Sequence, residues 1–182
     1  MRVITGSARG MRIETLEGDD VRPTTDKVKE AMFSIVQFQL EGRRVLDLFA
    51  GSGQLGIESL SRGAAQAVFV DVSRQAVEQI KRNLNHTGLA QNARVVNSDF
   101  EAFLRSRVEP FDVAFLDPPY RKELVQQALP LVAAVMNPGG VILCESPREE
   151  DLSGLGGDFV LRKEYCYGKI KLSRFTHRDQ AE

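Results

Sequence analysis

Apolar strand-like segments and amphipathic helix-like segments alternate along most of this chain, and this alternation constrains the possible fold more than any other feature. The strand-like segments lie at 45–50, 67–72, 94–96, 113–116 and 141–144. Helix-like patterns, with apolar residues three and four positions apart, separate them. Since parallel neighbours need a long crossover connection, usually a helix, the alternation predicts a doubly wound, mainly parallel sheet with helices on both faces.

The two ends of the chain break this pattern. Residues 159–165 and 169–175 are strand-like, and only three residues separate them. No crossover helix fits there, so the segments must pair antiparallel and close a seven-stranded α/β sheet. Residues 2–5 and 11–15 predict a small N-terminal β-hairpin. The length suits a single domain over 1–182, with 1–20 as a hairpin arm and 21–182 as the core.

Cysteine and histidine usage favours neither a disulfide framework nor a metal site. Cys144 and Cys166 lie far apart in apolar runs, which predicts two buried, reduced thiols. His86 and His177 have no neighbours that suggest a metal. No signal-like leader and no apolar stretch of about 18 residues is present. We expect a soluble, cytoplasmic protein that binds no metal and no membrane.

A glycine-rich loop follows the first core strand. Gly51, Gly53 and Gly56 have the G-x-G-x-x-G spacing of dinucleotide-binding folds, at a strand-to-helix junction. Asp71 lies 20 residues after Gly51, at the end of the next strand, where an acid can accept hydrogen bonds from ribose hydroxyls. The loop therefore predicts a nucleotide-type cofactor.

Asp47 distinguishes between two classes of cofactor. A dinucleotide places its pyrophosphate at the helix N-terminus, and a carboxylate beside it opposes that charge. An ammonium and a sulfonium suit the carboxylate, which favours S-adenosylmethionine over NAD by about tenfold, or ~1.4 kcal/mol. Asp99, after the third strand, can accept from an adenine amino group, or cap the following helix.

The segment Asp117-Pro118-Pro119-Tyr120 follows the fourth core strand directly. Two prolines stiffen a loop at the strand's carboxyl end, the edge where open α/β sheets bind ligands. The Asp117 carboxylate and the Pro118 carbonyl can accept hydrogen bonds from the two N–H groups of an exocyclic amine on a nucleobase. Tyr120 can stack on the same base. Holding a poor nucleophile in line with a methyl donor is mostly an orientation effect, which can be worth on the order of 7–11 kcal/mol.

Taken together, these segments resemble the bacterial small-subunit (16S) rRNA guanine-N2 methyltransferases, a family of class I S-adenosylmethionine-dependent enzymes. The resemblance rests on ITGSARG (4–10), RPTTDKVKEAMF (22–33), DLFAGSGQLGIESLSRGA (47–64), FVDV (69–72), LDPPY (116–120) and YGKIKL (167–172). It implies a Rossmann-like methyltransferase fold, catalysis by residues 117–120 and a flipped guanine. It also implies cofactor contacts from the following residues: Thr24, Asp47, Phe49, Ala50, Gly51, Ser52, Gly53, Asp71, Val72, Asp99 and Phe100.

The partner implied by the resemblance is ribosomal RNA, within an assembling small subunit, and we expect the protein to act as a monomer. The net charge is −1, yet basic residues cluster at both ends of the chain. We assign RNA contacts to Arg2, Arg9, Arg12 and Arg22, because arginines near an extruded base can hold the phosphate backbone.

Three other functions compete with this interpretation. The same loop would serve an amine methyltransferase for DNA adenine, protein glutamine or a small molecule. The glycine spacing is shared with NAD-dependent oxidoreductases, although Asp47 and the two prolines oppose that function. A non-catalytic, RNA-binding ribosome assembly factor would need neither the cofactor-binding glycine loop nor the Asp117 loop.

Overall fold

A computed structural model of the chain describes residues 1–16, 26–119 and 123–181. Within these residues the strands are β1 (Arg44–Asp47), β2 (Gln66–Asp71), β3 (Ala93–Asn97), β4 (Phe111–Leu116), β5 (Met136–Pro147), β6 (Phe159–Tyr167) and β7 (Ile170–His177). The α-helices are α1 (Asp26–Val36), α2 (Gln54–Ser61), α3 (Arg74–Thr87), α4 (Phe100–Arg105) and α5 (Leu124–Ala133). The bounds follow the predicted alternation closely.

The seven strands form one sheet in the order β3-β2-β1-β4-β5-β7-β6. The first five strands pair in parallel, whereas β7 pairs antiparallel with both β5 and β6. The predicted α/β sheet with an antiparallel C-terminal hairpin is therefore confirmed. The chain runs outward from β1 to β3 and then returns to the other side of β1 for β4. Such a reversal opens a crevice at the carboxyl ends of β1 and β4.

Alternate strand residues fill two separate cores, one on each face of the sheet. Val45, Val113 and Val141 pack with α1, α2 and α3, on what we call the α1 face. Leu46, Ala114 and Ile142 pack with α4 and α5, on what we call the α5 face. Since side chains alternate, Asp47 at the end of β1 belongs to the α1 face.

Residues 1–16 form the N-terminal arm, which is less regular than the predicted hairpin. An antiparallel bridge joins Arg2 to Arg12, and Val3 N–H donates to the Met11 carbonyl at 3.0 Å. Gly10 N–H also donates to the Val3 carbonyl at 2.9 Å, and Ile13 N–H donates to the Met1 carbonyl at 2.7 Å. The connecting loop bonds to α2: the Ser61 hydroxyl donates to the Thr5 carbonyl at 2.7 Å, and Ser7 N–H donates to the Ser61 carbonyl at 2.8 Å. The two segments of the arm thus pair with each other, and the loop between them docks on the helix.

A fully buried carboxylate, Glu58 of α2, anchors this arm. Its oxygens accept from the backbone N–H groups of Ile4 and Thr5 at 2.8 and 2.9 Å. They also pair with the buried Lys29 of α1 at 3.1 Å and with Arg62 at 3.0 Å. Burial lowers the pKa of the Lys29 amine, and the neighbouring Glu58 charge opposes that shift. We call these groups the Glu58 cluster, and it ties the arm to two helices.

Asp99 caps α4 by accepting from Ala102 N–H at 2.9 Å, which is one of the two roles predicted for it. The prediction of two buried thiols is wrong. Cys166 is exposed rather than buried, because β6 is the edge strand; Cys144 is buried, which raises the pKa of its thiol.

The segment Asn137–Gly140 contains a proline and two glycines and follows α5. The helix ends at Ala133, and these residues belong to β5. A Cβ on Gly140 would lie 2.8 Å from the Asp112 carbonyl oxygen, so this irregular stretch of strand requires a glycine. A glycine here signals a close backbone approach rather than a helix stop.

Candidate active site

The glycine loop joins β1 to α2 in a tight left-handed turn. Gly51 and Gly53 have φ values of 56° and 83°, which favour glycine. Gly56 has a different role, since a Cβ there would lie 2.2 Å from the Phe69 ring of β2. The third glycine therefore lets the helix pack closely against the sheet, and the first two form the turn.

Asp47 lies directly beneath this loop, at 2% exposure. Its carboxylate accepts a hydrogen bond from Gly56 N–H at 3.0 Å, in the first turn of α2. Burial raises the pKa of this carboxyl to about 8; the Gly56 hydrogen bond opposes the shift, and the charges of Asp117 and Asp71 add to it. A cationic group beside Asp47 would favour the ionised form.

Asp71 bridges the ends of β1 and β2. Its Oδ2 accepts from Gly51 N–H at 2.9 Å, and its Oδ1 accepts from Ser73 N–H at 2.8 Å. A carboxylate offers about four acceptor positions, so further lone pairs remain for a ligand hydroxyl. The next residue, Val72, is a large apolar side chain with 74% exposure. An acceptor and an apolar surface thus stand side by side, as a ribose and an adenine would require.

The loops after β1 and β3 meet through two aromatic rings. The ring centroids of Phe49 and Phe100 are 5.5 Å apart. Asp99, which precedes Phe100, is exposed and accepts the α4 capping bond described above. The predicted cofactor residues after β1, β2 and β3 are therefore brought together at one edge of the sheet.

The Asp117 loop begins where β4 ends, on the other side of the crevice from β2. Asp117 is half-buried, Pro118 is buried and Pro119 is exposed. Asp117 lies two residues beyond Phe115, the β4 partner of Asp47, so both acids stand at the same edge of the sheet. Tyr120, the fourth predicted catalytic residue, lies outside the described residues, as do Thr24 and Arg22.

The predicted RNA-contacting arginines of the arm face solvent. Arg2, Arg9 and Arg12 are exposed, and Arg2 also donates to the Gly10 carbonyl at 2.7 Å. The C-terminal basic residues differ, because several are engaged within the hairpin. Arg162 donates to the Thr176 hydroxyl at 2.9 Å, and the buried Lys171 pairs with Glu164 at 2.6 Å.

Two polar residues near the site were missed by the sequence analysis. Asn83 of α3 donates to the Glu14 and Ser52 carbonyls, both at 2.9 Å, and so links the arm to the glycine loop. Glu145 lies at the carboxyl end of β5 with 2% exposure, and burial raises the pKa of its carboxyl to about 7. No local motif in the sequence marked either residue.

Two further observations concern the described residues only. None of their helices is both long and apolar enough to cross a membrane. Across residues 1–16, 26–119 and 123–181, no group of three or more histidine, cysteine or acidic side chains is arranged to hold a metal ion.

Comparison with known proteins gives consistent matches over nearly the whole chain. Residues 1–176 match the family model described as conserved hypothetical protein 95. The Bacillus subtilis protein YlbH, provisionally named as an rRNA methyltransferase, is 40% identical over 98% of this chain and 100% of its own length. The Ribosomal RNA small subunit methyltransferase D of Escherichia coli K12 is 34% identical over 100% of this chain and 92% of its own.

Solved structures agree with these sequence matches. The structure of yhhF from Escherichia coli, provisionally named as a methyltransferase, matches with a TM-score of 0.88 at 34% identity and covers 99% of both chains. The Thermus thermophilus 16S rRNA N2 G1207 methyltransferase (RsmC), solved with AdoMet and guanosine, matches with a TM-score of 0.74 at 24% identity. That match covers 90% of this chain and 45% of the other, and it shows that the two share a fold.

Proposed function

Since this chain belongs to the protein family described as conserved hypothetical protein 95, we propose that it is an S-adenosylmethionine-dependent methyltransferase. Its substrate is a guanine of small-subunit ribosomal RNA, which it methylates on the exocyclic N2 amine. One observation supports this most strongly. Asp47 ends β1, Asp71 ends β2 and Asp117 directly follows β4, so acids stand on both sides of the crevice. The acid after β4 is followed by two prolines.

The residues present fit the cofactor. Asp71 offers acceptor positions for the ribose hydroxyls, and the exposed Val72 offers an apolar surface for the adenine ring. Asp99, together with Phe49 and Phe100, would hold the rest of the adenine. Asp47 provides a negative charge for the amino-acid end. When bound, the cofactor supplies a methyl group activated by a sulfonium.

The Asp117 loop would hold the acceptor amine. The Asp117 carboxylate and the Pro118 carbonyl each accept one N–H of the amine, which directs the nitrogen lone pair toward the crevice. The two prolines keep these acceptors in place before the base arrives, so little orientational freedom is lost in the reaction. Tyr120 would stack on the base. The amine becomes acidic as it gains the methyl, so Asp117 need only accept a hydrogen bond and then a proton.

The N-terminal arm would bind the RNA backbone. Arg9 and Arg12 are exposed on an arm that is fixed to α2 and, through Asn83, to the glycine loop. Fixed cations near the crevice can hold phosphates while the target base is flipped into the site. We infer that the enzyme acts in the bacterial cytoplasm, as a monomer, on an assembling small ribosomal subunit.

The decisive experiment is transfer of radiolabelled methyl from S-adenosylmethionine to four acceptors. These are naked ribosomal RNA, small subunits from a strain that lacks the gene, DNA and total protein. We expect label in small-subunit RNA, and nucleoside mass spectrometry should identify it as N2-methylguanosine. Label in DNA or in protein would overturn the substrate and keep the chemistry. An absence of label in all four acceptors would overturn the enzymatic function.

A further inference from the structure

Glu145 and Asp117 occupy equivalent positions on neighbouring parallel strands. Leu116 of β4 pairs with Cys144 of β5, and the next residue on each strand is an acid. Parallel neighbours lie about 4.8 Å apart, so the two backbones bring both acids to the same point of the sheet edge. Glu145 therefore lies at the same height along β5 as Asp117 does at the end of β4.

The alternation of side chains places Glu145 on the α1 face. Leu143 of β5 and Phe115 of β4 both pack in the core of that face, whereas Cys144 and Leu116 pack in the other. Glu145 is still within β5 and two residues beyond Leu143, so it shares the face of Asp47. The buried carboxyls of β1 and β5 thus flank the end of β4 on one face.

A small cavity lies beside the Asp117 loop, and Glu145 is part of its lining together with Pro118 and Pro119. The Glu145 carboxyl is only 2% exposed. Buried ionisable groups that line a cleft are enriched where a protein binds ligands or performs catalysis. The position against the two prolines indicates the acceptor side of the site.

The chemistry of guanine gives such a carboxyl a function. The N2 amine and the N1–H stand side by side on the same edge of the base, so a protein that holds the amine has the N1–H immediately adjacent. A carboxylate is an acceptor only, and it suits that proton. Adenine and 2-aminopurine carry a lone pair at N1, which a carboxylate repels.

We propose, on the basis of the function proposed above, that Glu145 accepts a hydrogen bond from the N1–H of the target guanine while Asp117 and the Pro118 carbonyl hold its N2 amine. Glu145 is then a residue that determines specificity for guanine. Sites that hydrogen bond a substrate group reject analogues without it far more strongly than apolar pockets do, because the buried partner is left unpaired.

The test replaces the target guanine by 2-aminopurine, which keeps the N2 amine and lacks the N1 proton. Small subunits are reconstituted with RNA that carries either base at the methylated position, and kcat/KM is measured for each. Wild-type enzyme should prefer guanine by about tenfold or more. Glu145→Gln is nearly isosteric, and its amide can either accept or donate. It should therefore reduce the preference toward unity.

Glu149→Gln is the matched control, since Glu149 is an exposed acid that follows β5 and should leave the preference unchanged. Calorimetric binding of S-adenosylmethionine by each variant verifies that the fold is intact. Wild-type enzyme that methylates both bases equally overturns the inference, even if Glu145→Gln does not fold. So does a Glu145→Gln enzyme that keeps the wild-type preference, or a Glu149→Gln enzyme that loses it. Wild-type enzyme that methylates no guanine would instead overturn the proposed function.

Discussion

The loops in the two halves of the sheet's carboxyl edge are held in place in different ways. In the cofactor half, which comprises the loops after β1, β2 and β3, each aspartate accepts a hydrogen bond from a backbone N–H. The donors are Gly56 for Asp47, Gly51 and Ser73 for Asp71, and Ala102 for Asp99. In the acceptor half, after β4 and β5, prolines fix the loop. The first half is thus held by hydrogen bonds from its backbone to its acids, and the second half by the fixed backbone angles of its prolines.

The largest expected effect is that of Asp117→Ala, because it removes a ligand-binding group without removing the loop's stiffness. We expect methyl transfer to fall by at least about a thousandfold, as when a preorganised hydrogen-bonding group is removed from an active site. The cofactor dissociation constant should stay within about twofold, since that half of the site is intact. Single-turnover transfer and calorimetry measure the two.

The control for this variant is Glu109→Gln, an exposed acid that precedes the amino end of β4. It should keep full activity and affinity. If Asp117→Ala instead lost the cofactor, Asp117 would belong to the cofactor half and the contrast between the halves would fail.

Asp71→Ala should come next in size, and it should damage both binding and folding. Loss of the carboxylate leaves Gly51 N–H and Ser73 N–H without their acceptor, which costs about 1–3 kcal/mol of stability. Cofactor affinity should fall by a similar free energy, or about 5- to 150-fold. Urea denaturation and calorimetry test the two effects. A variant that loses affinity at wild-type stability would show that Asp71 does not build its loop.

Asp47→Asn should weaken cofactor binding by about tenfold, through loss of one negative charge. Its effect on stability depends on pH. Burial raises the pKa of Asp47 from its ordinary value of 3.8 to about 8, so the folded chain holds a proton there that the unfolded chain has released. The free energy of unfolding therefore falls as pH rises between those values, by at most about 1.4 kcal/mol per pH unit from this group.

Urea denaturation of the cofactor-free protein at pH 5, 7 and 9 measures this slope. Asp47→Asn should have a flatter profile than wild type, and its stability at pH 9 should be the greater of the two. The affinity of wild type for S-adenosylmethionine should rise toward pH 8, since the cation favours the ionised acid. An unchanged stability slope in the variant would exclude Asp47 as the titrating group.

The smallest effect should come from the arm, and it should leave both halves unaltered. Arg9→Ala and Arg12→Ala should each flatten the salt dependence of KM for RNA, by about 0.7–0.9 in logarithmic slope for each phosphate that the variant no longer neutralises. Arg107→Ala, an exposed arginine that precedes the amino end of β4, is the control and should change nothing. An unchanged slope for both arm variants would remove the arm from the RNA interface.

The sheet and the acids at its edge could be predicted because they depend on local patterns. Strand and helix periods fix the topology, and short connections fix the antiparallel hairpin. Asp47, Asp71 and Asp117 all stand where an apolar strand ends. Glu145 follows Cys144, the β5 partner of Leu116, but its strand continues to Pro147, so no loop motif marked it.

Interactions between distant segments could not be predicted. Lys29 has the pattern of a solvent-exposed position beside Val28, and its partner Glu58 is 29 residues away. Asn83 similarly meets Glu14 and Ser52 only after α3 has packed on the sheet. A polar residue in a helix pattern is assigned to the surface by default, and only the assembled core reveals that it is buried.

The Glu58 cluster has a consequence for protein engineering. The arm has the appearance of a removable extension, yet Ile4 and Thr5 supply two of the donors that a fully buried carboxylate needs. A chain shortened to start after residue 16 would leave that carboxylate short of partners, and such a loss is strongly destabilising. Truncation would thus compromise the stability of the whole protein and not only the RNA contacts proposed for the arm. During translation the same dependence delays the arm, because residues 1–16 are made before α2 and cannot dock until that helix has been made.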